Sequence, residues 1–377
     1  MKKLVLIFGD KPGVVDAVRK LGFQPMLVET TNVAGVDDYI PLSEKEAFSG
    51  HLDVAKFQSI LNEPVAAIVA ANEDSLIIAS ELRERFFPHL KGLTRAQATM
   101  VRDKPLMKEK LREIDIDCAR FAYLHPETTW GELIAALGEE IIVKPRSQLN
   151  SRGMRVLRSE RDFATWRDGI DFLEAYYAEQ YLSGSTNHIC NTILCNGHVV
   201  AQFTASYPER SLLETNSGGE GFSTLYPSLL TPAQDRQMRD MALQFISSVG
   251  VRDGYCHAEF LLHNGRLEFG EMGVRLPGGW LLAAESFQCR TSIPELWVRI
   301  FTDHDRVADE QITVHYPYLG YYVVGKKLGT LRRISARDLP SWVVRSEILV
   351  KEGLHIHSEN WESTRIAQSM FVADSSE

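Results

Sequence analysis

The sequence predicts an α/β amino-terminal lobe followed by a larger α+β region. Residues 1–93 alternate apolar runs with stretches of helical periodicity, the pattern of βαβ units. Further along the chain, two pairs of apolar segments turn at Asn-Gly dipeptides, which predicts antiparallel hairpins. A chain of 377 residues also has room for two or three subdomains.

The first lobe opens on a strand. LVLIFG at 4–9 is a continuous apolar run, typical of a strand that is buried on both faces. VVDAVRKLG then has helical spacing and ends at Gly22, and FQPMLVE at 23–29 predicts a second strand. AAIVAA at 66–71 and the helical SLIIASELRERF at 75–86 continue the alternation. These periods predict a Rossmann-like lobe.

Two glycines, Gly9 and Gly13, flank the first turn, GDKPG. This turn lacks the G-x-G-x-x-G spacing of a dinucleotide site, and it places Lys and Pro where a backbone would have to approach a phosphate. We therefore expect a plain strand-to-helix turn.

Composition excludes several classes of protein. Hydrophobic residues at 44% and charged residues at 24% are ordinary for a globular protein. A net charge of −9 provides no field that attracts nucleic acid or an anionic membrane. The run LVLIF is too short for a signal peptide, and no stretch approaches the roughly 20 apolar residues of a membrane span. The cysteines form no C-x-x-C pair, so we expect reduced thiols and a cytoplasmic protein. They are Cys118, Cys190, Cys195, Cys256 and Cys289.

The middle of the chain predicts helices and hairpins in succession. The helical pattern of 94–116 breaks near Pro105. A Gly-rich loop is expected at 208–228, and a long amphipathic helix at 231–250. After about residue 280 the sequence mixes the helical IPELWVRIF with strand-like runs. The remaining predictions are a helix at 131–138, strands at 139–147 and 153–159, a helix at 161–176, a strand at 176–182, and hairpins turning at Asn196-Gly197 and Asn264-Gly265.

Two lysines and a loop are candidates for holding an anion. Lys144 ends the apolar strand EEIIVKP, where an unpaired buried charge is costly, so an anion such as phosphate is the partner we expect. Lys104 lies at a helix start, where a solvated charge is the ordinary alternative. The loop SQLNSRG at 147–153 has the small residues that let backbone N–H groups approach phosphates, although many hairpin loops look alike.

Acidic residues on a predicted hairpin are the strongest signal. Glu259 and Glu271 lie on its two strands, where paired strands bring side chains together. Adjacent carboxylates repel unless a cation joins them, and oxygen ligands favour Mg²⁺. Glu268 is the competing ligand, and an exposed pair on opposite faces is the alternative. Arg275 follows, where it could clamp a carboxylate or phosphoryl group.

Four segments of the chain carry a resemblance to a known family. In chain order they are RDKPLMKEKL, IIVKPRSQLNSRGMRVL, AEQYLSG and HAEFLLHNGRLEFGEMGVRLPGG. Together they resemble the ATP-grasp superfamily, in its carboxylate–amine (amino-acid) ligase branch. The resemblance implies a pre-ATP-grasp domain at 1–93. It also implies a small ATP-grasp subdomain with flap and hinge at 94–185, and a large subdomain with a carboxy-terminal extension at 186–377.

The resemblance also implies roles for individual residues, with ATP and Mg²⁺ as cofactors and Mn²⁺ as a substitute. Arg275 would steady the acyl-phosphate and the tetrahedral intermediate, and Lys144 would share the catalytic work. Glu259 and Glu271 would hold the metal. Glu179 would meet the adenine amino group. The other implied nucleotide contacts are Lys104, Ser147, Ser151, Gly153, Tyr181, Leu182 and Asn187.

Two positions depart from the family pattern. Thr186-Asn187 occupy the stretch where an acidic residue usually contacts the ribose. The metal motif usually reads E-x-N-x-R, but here Gly273 replaces the Asn and removes one expected oxygen ligand. Both departures leave open a non-catalytic ATP binder.

The resemblance implies that the chain uses ATP to activate a carboxylate, from an amino acid or small acid, as an acyl-phosphate with release of ADP. An amine would then attack to form an amide or peptide bond, as in peptide natural-product assembly. The alternatives are aminoacylation of a carrier-protein thiol, a purine-type ligase, which would need more basic residues near 210–230, and a regulatory ATP-binding module. Arg210, Glu220 and Arg290 are candidate substrate contacts. The general base is not identifiable from the sequence, and the oligomeric state stays open, with a homodimer as the commonest assembly.

Overall fold

The computed structural model describes residues 2–29, 36, 38–148, 153–208, 221–308, 310, 312–324, 329–333, 338–356 and 366–373. Three main sheets follow one another along the chain: a parallel sheet, a small antiparallel sheet and a large antiparallel sheet. Among the described residues, no helix is both long enough and apolar enough to cross a membrane.

The first sheet contains four parallel strands in the order β3-β2-β1-β4. β1 is buried along its whole length, as its unbroken apolar sequence predicted. The predicted plain turn after β1 is present, with Gly13 at a φ of 86° before the first helix. The elements are β1 Leu4–Phe8, α1 Val14–Lys20, β2 Gln24–Glu29, β3 Tyr39–Pro41, α2 Glu44–Ser49, a 3₁₀ helix Val54–Ile60, β4 Val65–Ala70 and α3 Leu76–Phe86.

Two short helices connect this lobe to the rest of the chain, α4 Arg95–Arg102 and α5 Lys104–Glu113. Thr94 caps α4 through a capping box, and the Asp103 side chain accepts a hydrogen bond from the Leu106 amide at the start of α5. The break predicted near Pro105 is therefore confirmed, and it places Lys104 in the first turn of α5.

The small sheet is antiparallel, in the order β5-β8-β6-β7. The helix predicted for 161–176 is too long, since α7 ends at Arg167. Gly169 and Asp171 interrupt the helical pattern, and a 3₁₀ turn then leads into β8. The elements are β5 Phe121–Tyr123, α6 Trp130–Leu137, β6 Ile141–Pro145, β7 Arg155–Leu157, α7 Glu160–Arg167, the 3₁₀ turn Leu173–Ala175 and β8 Tyr176–Gln180.

The large sheet has eight antiparallel strands in the order β13-β12-β9-β10-β11-β14-β18-β16. Both predicted Asn-Gly hairpin turns are confirmed, because all four turn residues have positive φ. The strands are β9 Thr186–Cys195, β10 His198–Tyr207, β11 Phe222–Tyr226, β12 Gly254–His263, β13 Arg266–Gly273, β14 Leu319–Val324, β16 Val343–Ile348 and β18 Ala367–Val372, and β15 Gly329–Thr330 pairs separately with β17 His355–Ile356.

The loop prediction for 208–228 is partly wrong. Residues Phe222–Tyr226 form β11, because FSTLY alternates in burial and pairs with β14 along its whole length. Residues 209–220 of the predicted loop lie outside the described residues.

Helices cover both faces of the large sheet. On one face, Phe245 of the long helix packs with Phe260 and Phe269 of the sheet. On the other face, Ile293 and Trp297 pack between this sheet and the parallel sheet of the first lobe. The helices are α8 Pro232–Val249, α9 Leu281–Cys289, α10 Ile293–Thr302 and α11 His304–Ala308.

Candidate functional site

The two acidic residues of the β12–β13 hairpin are direct neighbours. Glu259 and Glu271 are Cα partners, so their side chains share one face of the large sheet. Their side chains are 29% and 39% exposed, which leaves both carboxylates accessible from the site. Glu268, the competing candidate, pairs with Leu261 nearer the turn.

This pairing depends on a β-bulge. From His263 opposite Arg266, regular pairing would continue to Glu259 opposite Gly270 and would send Glu271 to the other face. The register instead shifts between Glu259 and Phe260, so that Gly270 is the extra residue. A Cβ at Gly270 would lie 3.0 Å from the Glu259 carbonyl oxygen, which explains why a glycine suits the bulge.

Lys104 approaches this pair from the start of α5. Its ammonium lies 3.2 Å from Glu271 Oε2 and donates to the Gln148 carbonyl at 2.9 Å. The Lys104 amide also donates to the Arg146 carbonyl at 3.1 Å, and the Arg146 guanidinium donates two hydrogen bonds to Asp103 Oδ2. These contacts fix Lys104, which is 5% exposed, against the end of β6.

Glu179 occupies a closed pocket on the small sheet. The cross-strand register places it diagonally from Lys144, whose ammonium lies 3.1 Å from Glu179 Oε1. Lys108 of α5 lies 3.3 Å from the other oxygen, to which the Tyr177 hydroxyl also donates. Burial opposes the charge of Glu179, but Lys108 and Lys144 outweigh it and lower the pKa of this carboxyl.

Arg275 is held by an acidic residue of the first lobe. Its guanidinium donates to Glu73 Oε2 at 3.1 and 3.2 Å, and Arg102 lies 3.0 Å from Glu73 Oε1. Burial opposes the charge on Glu73, but Arg275 and Arg102 outweigh it and lower its pKa to about 2. Arg102 also donates to the Ser147 carbonyl, which ties the cluster to the predicted flap.

At Gly273, where the predicted metal motif has an Asn, charged side chains fill the space. A Cβ at Gly273 would lie 3.3 Å from Glu73 Oε2 and 3.4 Å from Arg275 Nε. The Glu73–Arg275 pair therefore lies against the glycine where an Asn side chain would project. Gly273 is also the Cα partner of His257, so the imidazole borders the same space.

A chain of hydrogen bonds runs from Glu259 into the core. His257 Nε2 lies 3.3 Å from Glu259 Oε1, and His257 Nδ1 lies 2.7 Å from the Asn191 side-chain oxygen. The Asn191 amide nitrogen donates to Glu285 Oε1 at 2.6 Å. His257, Asn191 and Glu285 are all buried.

The remaining predicted residues lie on several different elements. Gly153 follows the flap with a φ of 70°, and a Cβ there would lie 2.9 Å from Pro145 Cγ. Tyr181 and Leu182 follow β8, and Asn187 lies on the Glu259 face of β9 opposite Leu261. Arg290, by contrast, ends α9 and donates to the Tyr316 hydroxyl at 2.7 Å. Ser151, Arg210 and Glu220 lie outside the described residues.

Three charged residues of the site are not among the residues predicted from the sequence: Lys108, Glu73 and Arg102. Lys108 had a usable signal, since it follows Lys104 by four residues and so shares its face of α5. Glu73 follows the carboxyl end of a parallel strand, where binding residues collect in α/β sheets. Arg102 has no comparable signal, because it resembles an ordinary basic residue in the last turn of α4.

No family model matches the chain, and no curated protein matches it. Among solved structures, the L-amino acid ligase from Bacillus licheniformis matches at a TM-score of 0.76 and 17% identity, covering 100% of this chain and 95% of that one. The N5-carboxyaminoimidazole synthetase from Staphylococcus aureus matches at 0.72 and 14% identity, covering 100% and 95%. The biotin carboxylase domain of the 2-oxoglutarate carboxylase from Hydrogenobacter thermophilus matches at 0.67 and 16% identity, covering 99% and 86%.

At these identities the matches establish the fold and leave the activity to the site residues. The parallel first sheet and the large antiparallel sheet both fall within the matched length. The chain therefore has the fold of the ATP-grasp ligases, as its motifs predicted.

Proposed function

We propose that this chain is an ATP-dependent, ADP-forming carboxylate–amine ligase. The observation that carries the proposal is the accessible pair Glu259 and Glu271, aligned across two strands with Lys104 3.2 Å from Glu271. The neighbours support ATP as the nucleotide, since the Staphylococcus structure is a complex with ADP and the Hydrogenobacter structure contains magnesium ADP.

The donor set of the pair suits a divalent cation. Glu259 and Glu271 offer hard carboxylate oxygens on one face, the ligands that Mg²⁺ prefers. Within the described chain, Lys104 is the one lysine or arginine that forms an ion pair with either carboxylate. When bound, Mg²⁺ would neutralise charge on the ATP phosphates and on the transferring phosphoryl group.

Basic residues around the pair would hold the triphosphate. Lys104 and Lys144 project from α5 and β6, and the loop from Ser147 to Gly153, which includes Ser151, would cover the phosphates. Glu179 would meet the adenine, with Tyr181 and Leu182 lining the ring and Asn187 lying at the ribose end. The Lys144–Glu179 pair keeps Lys144 ordered before the nucleotide binds.

Arg275 would act on the reacting groups. Glu73 fixes its guanidinium beside the acidic pair, which spares it the entropy of ordering during the reaction. The substrate carboxylate attacks the terminal phosphoryl group, and ADP leaves. An amine then attacks the acyl-phosphate carbon, and phosphate leaves. Arg275 and Lys144 stabilise the charge on the oxygens in both steps, so no protein nucleophile is needed.

An amino acid is the carboxylate substrate we favour, because the ligase from Bacillus licheniformis is named for that class and covers the whole chain. Peptide natural-product assembly is the corresponding biological role. A carrier-protein thiol in place of the amine would use the same first step. A non-catalytic regulatory module is the second candidate, favoured by the absence of the motif Asn at Gly273.

The location, the assembly, the partners and the domain division belong to the same proposal. We assign the cytoplasm as the location and a homodimer as the assembly, with small molecules as the other partners. We also retain the division into residues 1–93, 94–185 and 186–377. Size-exclusion chromatography with light scattering tests the assembly directly.

Phosphate release separates these candidates. We expect the purified chain, given ATP and Mg²⁺, to release phosphate when pooled amino acids are added, because they supply both the carboxylate and the amine. Mass spectrometry of the mixture should then identify an amide product. ATP binding without phosphate release in any pool would favour the regulatory module, and release that requires a carrier thiol would favour aminoacylation.

A further inference from the structure

One buried carboxylate takes no part in the proposed reaction. Glu285 of α9 has no exposed surface. Tyr255 donates to its Oε2 at 2.6 Å, and Asn191 and Tyr226 donate to its Oε1 at 2.6 and 3.3 Å. Among the described residues, no lysine or arginine forms an ion pair with Glu285.

The contacts of Glu285 determine how Asn191 is oriented. An amide side chain has one donating and one accepting end. Because the nitrogen of Asn191 donates to Glu285, its oxygen faces His257 and accepts a hydrogen bond from Nδ1. The imidazole is thereby held with Nε2 toward Glu259.

Few side chains contact the Glu259 carboxylate. In the described part of the chain, His257 is the one side chain in polar contact with its carboxylate, at 3.3 Å. The residue opposite His257 is Gly273, which has no side chain to contribute. The orientation of Glu259 therefore depends on the imidazole, and the imidazole depends on Asn191.

We propose that Glu285 is a positioning residue for the candidate metal site, acting through Asn191 and His257 on Glu259. This inference rests on the proposed function, because it presumes that Glu259 binds a divalent cation. Partners that orient metal ligands from outside the coordination shell generally change metal affinity 10- to 100-fold when they are removed.

A purely structural role explains Glu285 less well. Burying a carboxylate without a cation costs free energy, because the charged form loses its hydration. Burial raises the pKa of Glu285 to about 7, although its three hydrogen bonds oppose that shift. The fold therefore keeps an acid in spite of this burial cost, and its Oε1 accepts from Asn191 and so orients that amide toward His257.

Mn²⁺ binding in the presence of ADP, followed by electron paramagnetic resonance, tests the inference without using activity. We expect Glu285→Leu to weaken Mn²⁺ binding by about 10- to 100-fold. Glu285→Gln keeps an oxygen that can accept from Asn191, so we expect its binding to stay within about threefold of the wild type.

Ser206→Ala is the matched control. Ser206 is also buried and bonds to His188, but on the opposite face of the same strands. We expect this variant to lose stability with its Mn²⁺ binding unchanged. If Ser206→Ala weakened Mn²⁺ binding as much as Glu285→Leu, a general loss of packing would explain both results, and the positioning role would be wrong.

Folding of each variant is checked by circular dichroism. If Glu285→Leu does not fold, Asn191→Ser tests the same inference, because its smaller polar side chain breaks the contact between Glu285 and His257. A folded variant that binds Mn²⁺ as the wild type does would overturn the positioning role alone. A wild-type chain that binds no Mn²⁺ would instead overturn the metal site and the proposed function with it.

Discussion

Two acidic centres of the molecule differ in how their charge is balanced. Glu179 is buried between two lysines and a tyrosine hydroxyl. Glu259 and Glu271 are partly exposed, and the one lysine beside them, Lys104, pairs with Glu271. The first centre holds two ammonium groups for one carboxylate, whereas the second holds two carboxylates for one ammonium group.

This difference assigns different tasks to similar residues. A carboxylate that is already neutralised anchors the lysines around it, and removing one partner leaves a costly buried charge. A carboxylate pair with too little positive charge gains most from a cation that arrives with the nucleotide. The balance of charge therefore indicates where a metal is needed more clearly than the number of acidic residues does.

Replacing Glu271 should have the largest effect on turnover. Glu271→Ala removes half of the cation site, and we expect phosphate release to fall by about 10³-fold, or about 4 kcal/mol of transition-state stabilisation. Glu268→Ala is the control, since Glu268 lies on the same strand but pairs with Leu261. Equal losses in both variants, measured by steady-state phosphate release, would contradict the assignment of the pair.

Replacing each of the two lysines at Glu179 should affect different properties, stability for Lys108 and nucleotide binding for Lys144. Lys108 is 1% exposed, and Lys144 still pairs with Glu179 in its absence, so Lys108→Met should lower the free energy of unfolding by roughly 1.5–3 kcal/mol. The Lys144 side chain is 18% exposed, so Lys144→Met should cost less stability but weaken ATP binding by about tenfold or more. Urea denaturation and calorimetric ATP titration measure the two quantities. Unchanged ATP affinity in Lys144→Met would refute its phosphate contact.

Glu285 makes stability depend on pH in a direction opposite to that of the paired carboxylates. Its pKa rises from 4.5 to about 7 on folding, so its contribution is complete below pH 4.5 and is lost as pH rises through 7. The expected loss is roughly 3 kcal/mol. Glu285→Gln should remove this dependence, as measured by the difference between variant and wild-type unfolding free energies at pH 5 and pH 8. A difference that stays constant with pH would show that Glu285 does not titrate in this window.

The sequence was sufficient for the features that local chemistry controls. The Asn-Gly turns, the capped break at Asp103 and the long helix ending at Gly250 all lie where short patterns placed them. The order of the motifs predicted the fold. The helical spacing of Lys108 from Lys104 is visible in the sequence, but the partners of Lys108, Glu73 and Arg102 lie in distant segments, which periodicity does not reveal.

The register of the acidic pair is a second feature that the sequence pattern does not determine. The sequence predicted that Glu259 and Glu271 adjoin, but the predicted two-residue turn alone would place them on opposite faces. The extra residue at Gly270 corrects the register, and a bulge inside a strand leaves little trace in the pattern of burial.

The smallest expected effect tests this bulge. A Cβ at Gly270 would lie 3.0 Å from the Glu259 carbonyl oxygen, so Gly270→Ala should lower the free energy of unfolding by about 1 kcal/mol and displace Glu259. We expect Mn²⁺ affinity to fall several-fold, because a carboxylate moved by a few tenths of an ångström fits the cation less well. Gly131→Ala is the control, since its Cβ would meet no atom within 4 Å and it lies in helix α6. A Gly270→Ala variant that binds Mn²⁺ like this control would mean that the register at Glu259 can relax without affecting the site.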